Sequence, residues 1–246
     1  MPAPELVAHR GWALRYPENT RLALRAAIEA GAKYLECDVQ LSADGAPFLF
    51  HDPTLERLCG VKGPLHARRT DELERLFASQ AGSFGKRFQS EPVARLEHVL
   101  ELLELHPDVF CFVELKRVAL EHHGTESVLE RVLPLLEGYR ERCALISFSV
   151  QALHAARARS EIAVGPVLED WGELRGDLVR SLKAEYVFCD IQRLPSEGRL
   201  RLPSGRLAVY EVANPDLALE LAERGASFVE TFAIGEMLEA FEHRGL

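Results

Sequence analysis

Histidine, basic and carboxylate side chains stand at or just after the ends of short apolar segments in this sequence. These polar residues are His9, Arg10, Glu18, Glu36, Asp38, His51, Glu114 and Lys116. Strand side chains alternate between two faces, so Glu36 and Asp38 share one face of their strand, and Glu114 and Lys116 share a face of another. Three carboxylates that converge from two strands offer only oxygen ligands, which suits Mg²⁺ or Ca²⁺.

The two histidines and the two basic residues add a second kind of chemistry. His9 and His51 each follow an apolar run, and a histidine pair beside a cation can act as general acid and general base. Arg10 and Lys116 supply fixed positive charge for an anionic group. Together these residues predict displacement at a phosphate ester.

Short apolar runs alternate with helical patterns along most of the chain. Strands are predicted at 6–9, 34–39, 48–51, 109–115, 144–148, 162–168, 186–189, 207–212 and 228–231. Helices are predicted at 20–30, 96–105, 126–136, 150–159, 172–182, 215–224 and 236–243. This alternation predicts an α/β fold built from βαβ units with a parallel sheet.

A (β/α)₈ TIM barrel accommodates about eight such units better than an open sheet does. A doubly wound sheet would carry a glycine-rich phosphate loop after its first strand, and the sequence has none there. Residues 52–95 interrupt the alternation and are interpreted as an insertion within the barrel, so 1–246 is predicted to be a single domain. Active residues of such barrels lie at the C-terminal strand ends, which is where the polar groups are expected to converge.

Charge and cysteine content narrow the possible partners and compartments. The chain has 29 Lys and Arg residues against 38 Asp and Glu residues, a formal net charge of −9, which argues against nucleic acid as a partner. Its five cysteines include no Cys-x-x-Cys pair and are interpreted as reduced. With no recognisable secretory signal and no apolar run of about 18 residues, we expect a cytoplasmic protein without stable membrane insertion.

Several short motifs follow one another at defined spacings. They are His9-Arg10-Gly11, Pro17-Glu18-Asn19-Thr20, Glu36-Cys37-Asp38-Val39-Gln40, Asp44-Gly45, His51-Asp52, Glu114-Leu115-Lys116 and Ser147-Phe148. In order and spacing they resemble the glycerophosphodiester phosphodiesterase family of the phospholipase C-like TIM-barrel superfamily. The resemblance implies a barrel with a small insertion after its second strand. It also implies metal-dependent hydrolysis of small glycerophosphodiesters to sn-glycerol 3-phosphate and an alcohol.

The resemblance also assigns roles to the polar residues. The positions that match the family's ligands for one divalent cation, Mg²⁺ or Ca²⁺, are Glu36, Asp38 and Glu114. The positions that match its acid/base pair are His9 and His51. The positions that match its phosphate contacts are Arg10 and Lys116. Glu18 matches a loop acid that orients His9 or Arg10. Attack by the substrate's own hydroxyl and attack by water both stay open.

The last third of the chain departs from the family. Tyr210-Glu211-Val212-Ala213 stands where the family has Trp-Thr-Val-Asn, and Phe232 stands where the final strand usually ends in aspartate. Acids also close or follow the later strands, namely Glu169, Asp190, Glu211 and Glu230. If two or more of them line the barrel mouth, they favour a cationic alcohol such as choline or ethanolamine.

Two other functions compete with this interpretation. A lysophospholipase D-like enzyme acting on lysophospholipids would need an apolar rim, for which Trp171, Phe228 and Phe232 are candidates. A barrel that binds phosphodiesters without turnover is the second alternative. The presence of both His9 and His51 argues against it, because a pure binding protein needs no acid/base pair.

Overall fold

The computed structural model describes residues 3–246, and its architecture is a parallel barrel wrapped by helices. The strands are β1 (Glu5–Ala8), β2 (Tyr34–Leu41), β3 (Pro47–Leu49), β4 (Phe110–Leu115), β5 (Cys143–Ser147), β6 (Ala163–Leu168), β7 (Tyr186–Asp190), β8 (Arg206–Tyr210) and β9 (Phe228–Thr231). The helices are α1 (Arg21–Glu29), α2 (Glu56–Cys59), α3 (Thr70–Leu73), α4 (Ala81–Phe84), α5 (Leu96–Leu105), α6 (Arg117–His123), α7 (Thr125–Leu136), α8 (Val150–Arg157), α9 (Asp177–Leu182), α10 (Pro215–Arg224) and α11 (Ile234–Glu242). Short 3₁₀ helices lie at Leu65–Ala67, Glu137–Tyr139, Trp171–Arg175 and Ile191–Arg193.

The barrel closes because β1 pairs in parallel with a strand on each side. Val7 lies opposite Tyr34 of β2 and opposite Glu230 of β9. The remaining barrel strands follow in the order β2, β4, β5, β6, β7, β8 and β9, all parallel. The predicted (β/α)₈ fold is therefore confirmed. Within residues 3–246, no helix has the length and apolar character needed to cross a membrane.

The two faces of the barrel strands bury different side chains. Inside the barrel, Phe112, Phe188 and Phe228 are fully buried and pack ring against ring. The outward faces pack against the surrounding helices and form the larger apolar cluster. Cys37 points outward, as strand alternation predicts, with its Sγ 3.8 Å from that of Cys111. The interior aromatic layer thus forms the floor below the C-terminal strand ends.

The strand predicted at 48–51 is present over a shorter range but does not belong to the barrel. β2 continues beyond the barrel rim to Leu41, the chain turns, and β3 returns antiparallel to it, with Val39 opposite Leu49. The backbone N–H of Phe50 then donates to the Asp38 carbonyl at 2.9 Å. His51 therefore reaches the rim at the end of a returning hairpin, not at the carboxyl end of a parallel strand.

Residues 52–95, which we call the excursion, follow this hairpin after the second strand, as predicted. They contain α2, α3 and α4, and their apolar side chains join those of β3 in a separate cluster. The excursion ends where the backbone N–H of Leu49 donates to the Ala94 carbonyl at 2.8 Å. It is thus packed against the barrel through β3. The single-domain interpretation of 1–246 stays a prediction.

Two helical regions differ from the prediction. The helix predicted at 172–182 is divided into a 3₁₀ helix and α9, because Gly176 between them adopts an extended conformation (φ −70°, ψ 139°). The short helix α6 was not predicted. It begins directly after Lys116 and ends at His123, before Gly124, so it is too short to show a helical apolar period.

Replacement of an interior aromatic residue tests the barrel core. Phe112 is fully buried, with its ring centroid 4.9 Å from that of Tyr186 and 5.0 Å from that of Phe188. We expect Phe112→Ala to lower the free energy of unfolding by about 3–5 kcal/mol, because it leaves a cavity. Leu105→Ala is the control, since Leu105 is 70% exposed, and should cost at most about 0.5 kcal/mol. Urea unfolding measures the free energy of unfolding of both variants. Equal losses in the two would contradict a core that depends on Phe112.

Candidate active site

Three buried carboxylates meet at the C-terminal end of neighbouring strands. Glu36 and Asp38 both point inward from β2, and Asp38 lies directly opposite Glu114 of β4. One ligand oxygen from each of the three lies within 4.8 Å of the others. The strand register therefore produces the convergence that was predicted for these carboxylates.

Two basic side chains neutralise part of this negative charge. Lys116 Nζ lies 3.0 Å from Asp38 Oδ1 and 2.8 Å from Glu114 Oε1. Arg10 Nε lies 3.0 Å from Asp38 Oδ2, and Arg10 Nη1 donates to Glu18 Oε1 at 2.9 Å. Burial alone would raise the pKa of Asp38, but Lys116 and Arg10 outweigh burial and hold that pKa well below its usual range. Asp38 is thus an ionised carboxylate in the interior.

Asn19 completes the surroundings of Asp38, and it was not among the predicted site residues. Its Nδ2 donates to Asp38 Oδ2 at 2.8 Å, and its Oδ1 accepts the Asp38 backbone N–H at 3.0 Å. Asn19 adopts a left-handed conformation (φ +56°), which asparagine tolerates better than most residues. The sequence signal for it is its place beside Glu18 in the motif Pro17-Glu18-Asn19-Thr20.

His9 is held on three sides at the end of β1. Its Nδ1 lies 2.9 Å from Glu211 Oε2, and its Nε2 lies 3.9 Å from Glu36 Oε2. The ring of Phe232 stacks on the imidazole at a centroid distance of 4.4 Å. Burial lowers the pKa of His9, while the hydrogen bond with Glu211 acts in the opposite direction. The imidazole therefore has a fixed orientation with Nε2 toward the carboxylates.

His51 has a carboxylate partner as well, supplied by the next residue. Its Nδ1 lies 3.0 Å from Asp52 Oδ1. Arg57 of α2 donates to both oxygens of Asp52, at 2.6 and 2.8 Å, and to both oxygens of Glu18, at 2.7 Å each. Glu18 thus contacts Arg10, one of its two predicted partners, and also Arg57, for which the sequence pattern predicts no role.

A cavity of about 80 Å³ opens between these groups and the opposite barrel wall. Six of the eight predicted site residues line it, namely His9, Arg10, Glu36, His51, Glu114 and Lys116. The facing wall is formed by Phe148, Phe188 and Tyr210 among others. Asp38 lies behind the charged wall, paired with Arg10 and Lys116, and Glu18 lies beside it. The structure thus brings all eight predicted residues into one neighbourhood with a polar and an apolar side.

The carboxylates are suited to a cation. Glu36 Oε1 is buried with no hydrogen-bond partner in residues 3–246, so an oxygen is left to coordinate. Burial raises the pKa of Glu36 well above its ordinary value, together with the negative charges of Asp38 and Glu230. Burial likewise raises the pKa of Glu114 to about 7, against the opposing charge of Lys116. A bound cation would stabilise the ionised carboxylates against both the burial and the mutual repulsion that raise these pKa values.

The acids of the later strands have separate environments. Glu169 forms an exposed ion pair with Arg117, and Asp190 accepts the backbone N–H of Gln192 at 2.8 Å. Glu211 contacts His9, and of these four acids Glu230 alone lines the cavity. The condition for a cationic alcohol, two or more of these acids at the mouth, is therefore not met.

The apolar rim required by the lysophospholipase D-like alternative is incomplete. Phe228 is fully buried in the barrel interior, so its assignment to the rim was wrong. Phe232 stacks on His9, and Trp171 is partly buried against the outer core.

The turn that follows His9 depends on a glycine, which gives a test of the site's support. Gly11 has φ +80°, and a Cβ atom there would lie 2.5 Å from the Ala23 carbonyl carbon. Gly60 has φ +68°, and among residues 3–246 a Cβ atom there would have no heavy atom within 4 Å beyond its chain neighbours. We expect Gly60→Ala to cost about 1 kcal/mol of unfolding free energy and Gly11→Ala about 2–4 kcal/mol, since only the latter adds a steric clash. Urea unfolding compares the two, and equal costs would contradict the close approach at Gly11.

Sequence comparison identifies relatives of the chain. The sequence profile of the Glycerophosphoryl diester phosphodiesterase family matches residues 9–201. The glycerophosphodiester phosphodiesterase of Bacillus altitudinis is 33% identical over 165 residues, covering 65% of either chain. That of Caldanaerobacter subterraneus subsp. tengcongensis is 32% identical over 150 residues, covering 60% of this chain and 59% of the relative. The matched region thus spans about three fifths to two thirds of each relative's length.

Solved structures share the fold over nearly the whole chain. A phosphodiesterase from Oleispira antarctica, in complex with the product sn-glycerol-3-phosphate, has a TM-score of 0.83 and 23% identity, covering 98% of this chain and 97% of that one. A glycerophosphodiester phosphodiesterase from Agrobacterium tumefaciens has a TM-score of 0.75 and 24% identity, covering 96% and 99%. At these identities the likeness establishes the fold alone. Because the family profile matches well over half of the sequence, the chain belongs to the glycerophosphoryl diester phosphodiesterase family.

Proposed function

We propose that this protein hydrolyses glycerophosphodiesters to sn-glycerol 3-phosphate and an alcohol with the help of one divalent cation. The observation that carries the proposal is the composition of the cavity wall. It combines carboxylates suited to a cation, two basic side chains, and two histidines that each have Nδ1 beside a carboxylate. Family membership supports the same reaction. Small-molecule substrates of this kind and the acidic composition fit a cytoplasmic enzyme.

Glu36, Asp38 and Glu114 would hold the cation. Their ligand atoms are all oxygen, which favours Mg²⁺ or Ca²⁺ over metals that prefer sulfur or nitrogen. When bound, the cation supplies positive charge that polarises a phosphoryl oxygen. The unpartnered Glu36 Oε1 supports this assignment.

Arg10 and Lys116 would bind the phosphate diester. Both line the cavity, and both are buried enough that their charge is weakly screened. The guanidinium of Arg10 can offer two parallel N–H groups to two phosphate oxygens, whereas Lys116 acts as a point charge. Glu18 would orient Arg10, since it accepts from Arg10 Nη1.

The histidines would transfer the protons. The side chain of His9 is 12% exposed and that of His51 is 34% exposed, so His9 lies deeper in the site. We assign to His9 the removal of a proton from the attacking hydroxyl, whether that of the substrate's glycerol or of water. We assign to His51, nearer the mouth, the protonation of the departing alcohol oxygen.

Removal and restoration of the cation test the metal assignment. We expect EDTA to abolish release of the headgroup alcohol, choline or ethanolamine, from glycerophosphocholine, glycerophosphoethanolamine and the corresponding lysophospholipids, and Mg²⁺ or Ca²⁺ to restore release from the preferred substrates. Glu114→Gln should weaken cation binding at least about tenfold, while Asp108→Asn, an exposed site away from the cavity, should not. Because the pKa of Glu114 is about 7, proton and cation compete, so calorimetry should show tighter binding as pH rises from about 6 to about 8.

Unchanged release in EDTA would contradict the metal assignment. No release from any of these substrates by folded protein, with cation present, would remove the enzyme function and leave the phosphodiester-binding alternative. Release from lysophospholipids alone would instead support the lysophospholipase D-like alternative.

Replacement of each histidine tests the proton-transfer assignment. We expect His9→Ala and His51→Ala each to lower kcat by about 10²–10⁴-fold, because general acid or base catalysis is lost, with KM little changed. His243→Ala is the control, since His243 is exposed at the end of α11. Steady-state kinetics, with unfolding midpoints measured alongside, separate catalytic from folding effects. Retention of wild-type kcat by either variant would overturn that histidine's role.

A further inference from the structure

The carboxylate behind His9 comes from a distant part of the chain. Glu211 directly follows β8, and its Oε2 lies 2.9 Å from His9 Nδ1. Its other oxygen, Oε1, accepts the backbone N–H of Phe232 at 2.8 Å. Both oxygens of Glu211 are therefore engaged, one on the histidine and one on the loop after β9. An ionised carboxylate only accepts hydrogen bonds, so Nδ1 of His9 must carry a proton in this arrangement.

The same loop restrains the imidazole ring. Phe232 stacks on His9 with an interplanar angle of 14°, and the His9 backbone N–H donates to the Thr231 carbonyl at 3.0 Å. Rotation of the ring would break both the stacking and the Nδ1 hydrogen bond. Nε2 is thereby directed at the carboxylate wall, 3.9 Å from Glu36 Oε2.

We propose that Glu211 is a positioning residue that holds His9 in the tautomer with Nδ1 protonated, leaving the Nε2 lone pair free to accept a proton from the attacking hydroxyl. The inference rests on the proposed function, because it assigns Glu211 a purpose only if His9 transfers a proton. Glu211 does not act on substrate. It acts through His9, and it depends on Phe232 for its own orientation.

Two of the other late-strand acids, Glu169 and Asp190, do not serve this purpose. Glu169 is paired with Arg117, Asp190 caps the turn at Gln192, and neither contacts a histidine in the part of the chain that the structure describes. Asp190 ends the neighbouring strand β7 and is therefore a matched control for Glu211.

A glutamine at 211 has nearly the same shape but the wrong hydrogen-bonding pattern. Its single carbonyl oxygen is needed by the Phe232 N–H, which places the NH₂ group against His9 Nδ1. Nδ1 would then have to accept, and the proton would move to Nε2. Glu211→Gln therefore reverses the tautomer while preserving packing, whereas Glu211→Asp retains a carboxylate at shorter reach.

Steady-state kinetics provide the first readout. We expect Glu211→Gln to lower kcat for the best glycerophosphodiester by about 10²–10⁴-fold, as for other histidines forced into the wrong tautomer, with KM changed less than about threefold. Glu211→Asp should recover part of the loss, and Asp190→Asn should stay within about twofold of wild type. A loss of kcat in Asp190→Asn equal to that in Glu211→Gln would overturn the proposal, and so would wild-type kcat in Glu211→Gln.

The imidazole ¹⁵N shifts provide a second readout that needs no turnover. In the metal-free wild-type protein, His9, assigned by loss of its signals in His9→Gln, should show a protonated Nδ1 and an unprotonated Nε2, and Glu211→Gln should reverse the pattern. The same tautomer in both proteins would overturn the proposal. If the wild type hydrolyses no diester, the proposed function fails, and these shifts alone decide whether Glu211 sets the tautomer.

Discussion

The carboxylate of Asp38 is almost fully buried, and an unpaired charge in that position would cost several kcal/mol. It is stabilised by Arg10 and Asn19 from the loop after β1 and by Lys116 from the loop after β4. Each of these partners is thereby fixed relative to the others. The site is organised around this charge, because the loops after β1 and β4 must adopt conformations in which their ion pairs and hydrogen bonds to Asp38 can form.

Both histidines follow one physical pattern, in which a carboxylate at Nδ1 leaves Nε2 for the cavity. The two carboxylates have different origins. Asp52 is adjacent to His51 in sequence, whereas Glu211 is 202 positions from His9. The hairpin itself holds Asp52 beside His51. Glu211 reaches His9 only when β8 and β9 close the barrel against β1. Barrel closure is thus a condition for the geometry of His9.

The barrel and the gathering of the eight site residues could be predicted because apolar runs and face alternation are local properties of the sequence. It could not be predicted in this way that His51 enters the site from an antiparallel hairpin. A short apolar run does not reveal whether its strand is parallel or antiparallel, and only the pairing of β3 with β2 does so. For a similar reason Arg57 was assigned no role, and Glu211 was noted only as one of four acids that could line the barrel mouth. Each has an ordinary local context, and its role arises from a contact made across the fold.

Arg57 links the excursion to the site by binding Asp52 and Glu18 together. These contacts are made by a short helix whose packing is largely separate from that of the barrel. The position of His51, which is paired with Asp52, therefore depends on the folding of the excursion as well as on closure of the barrel.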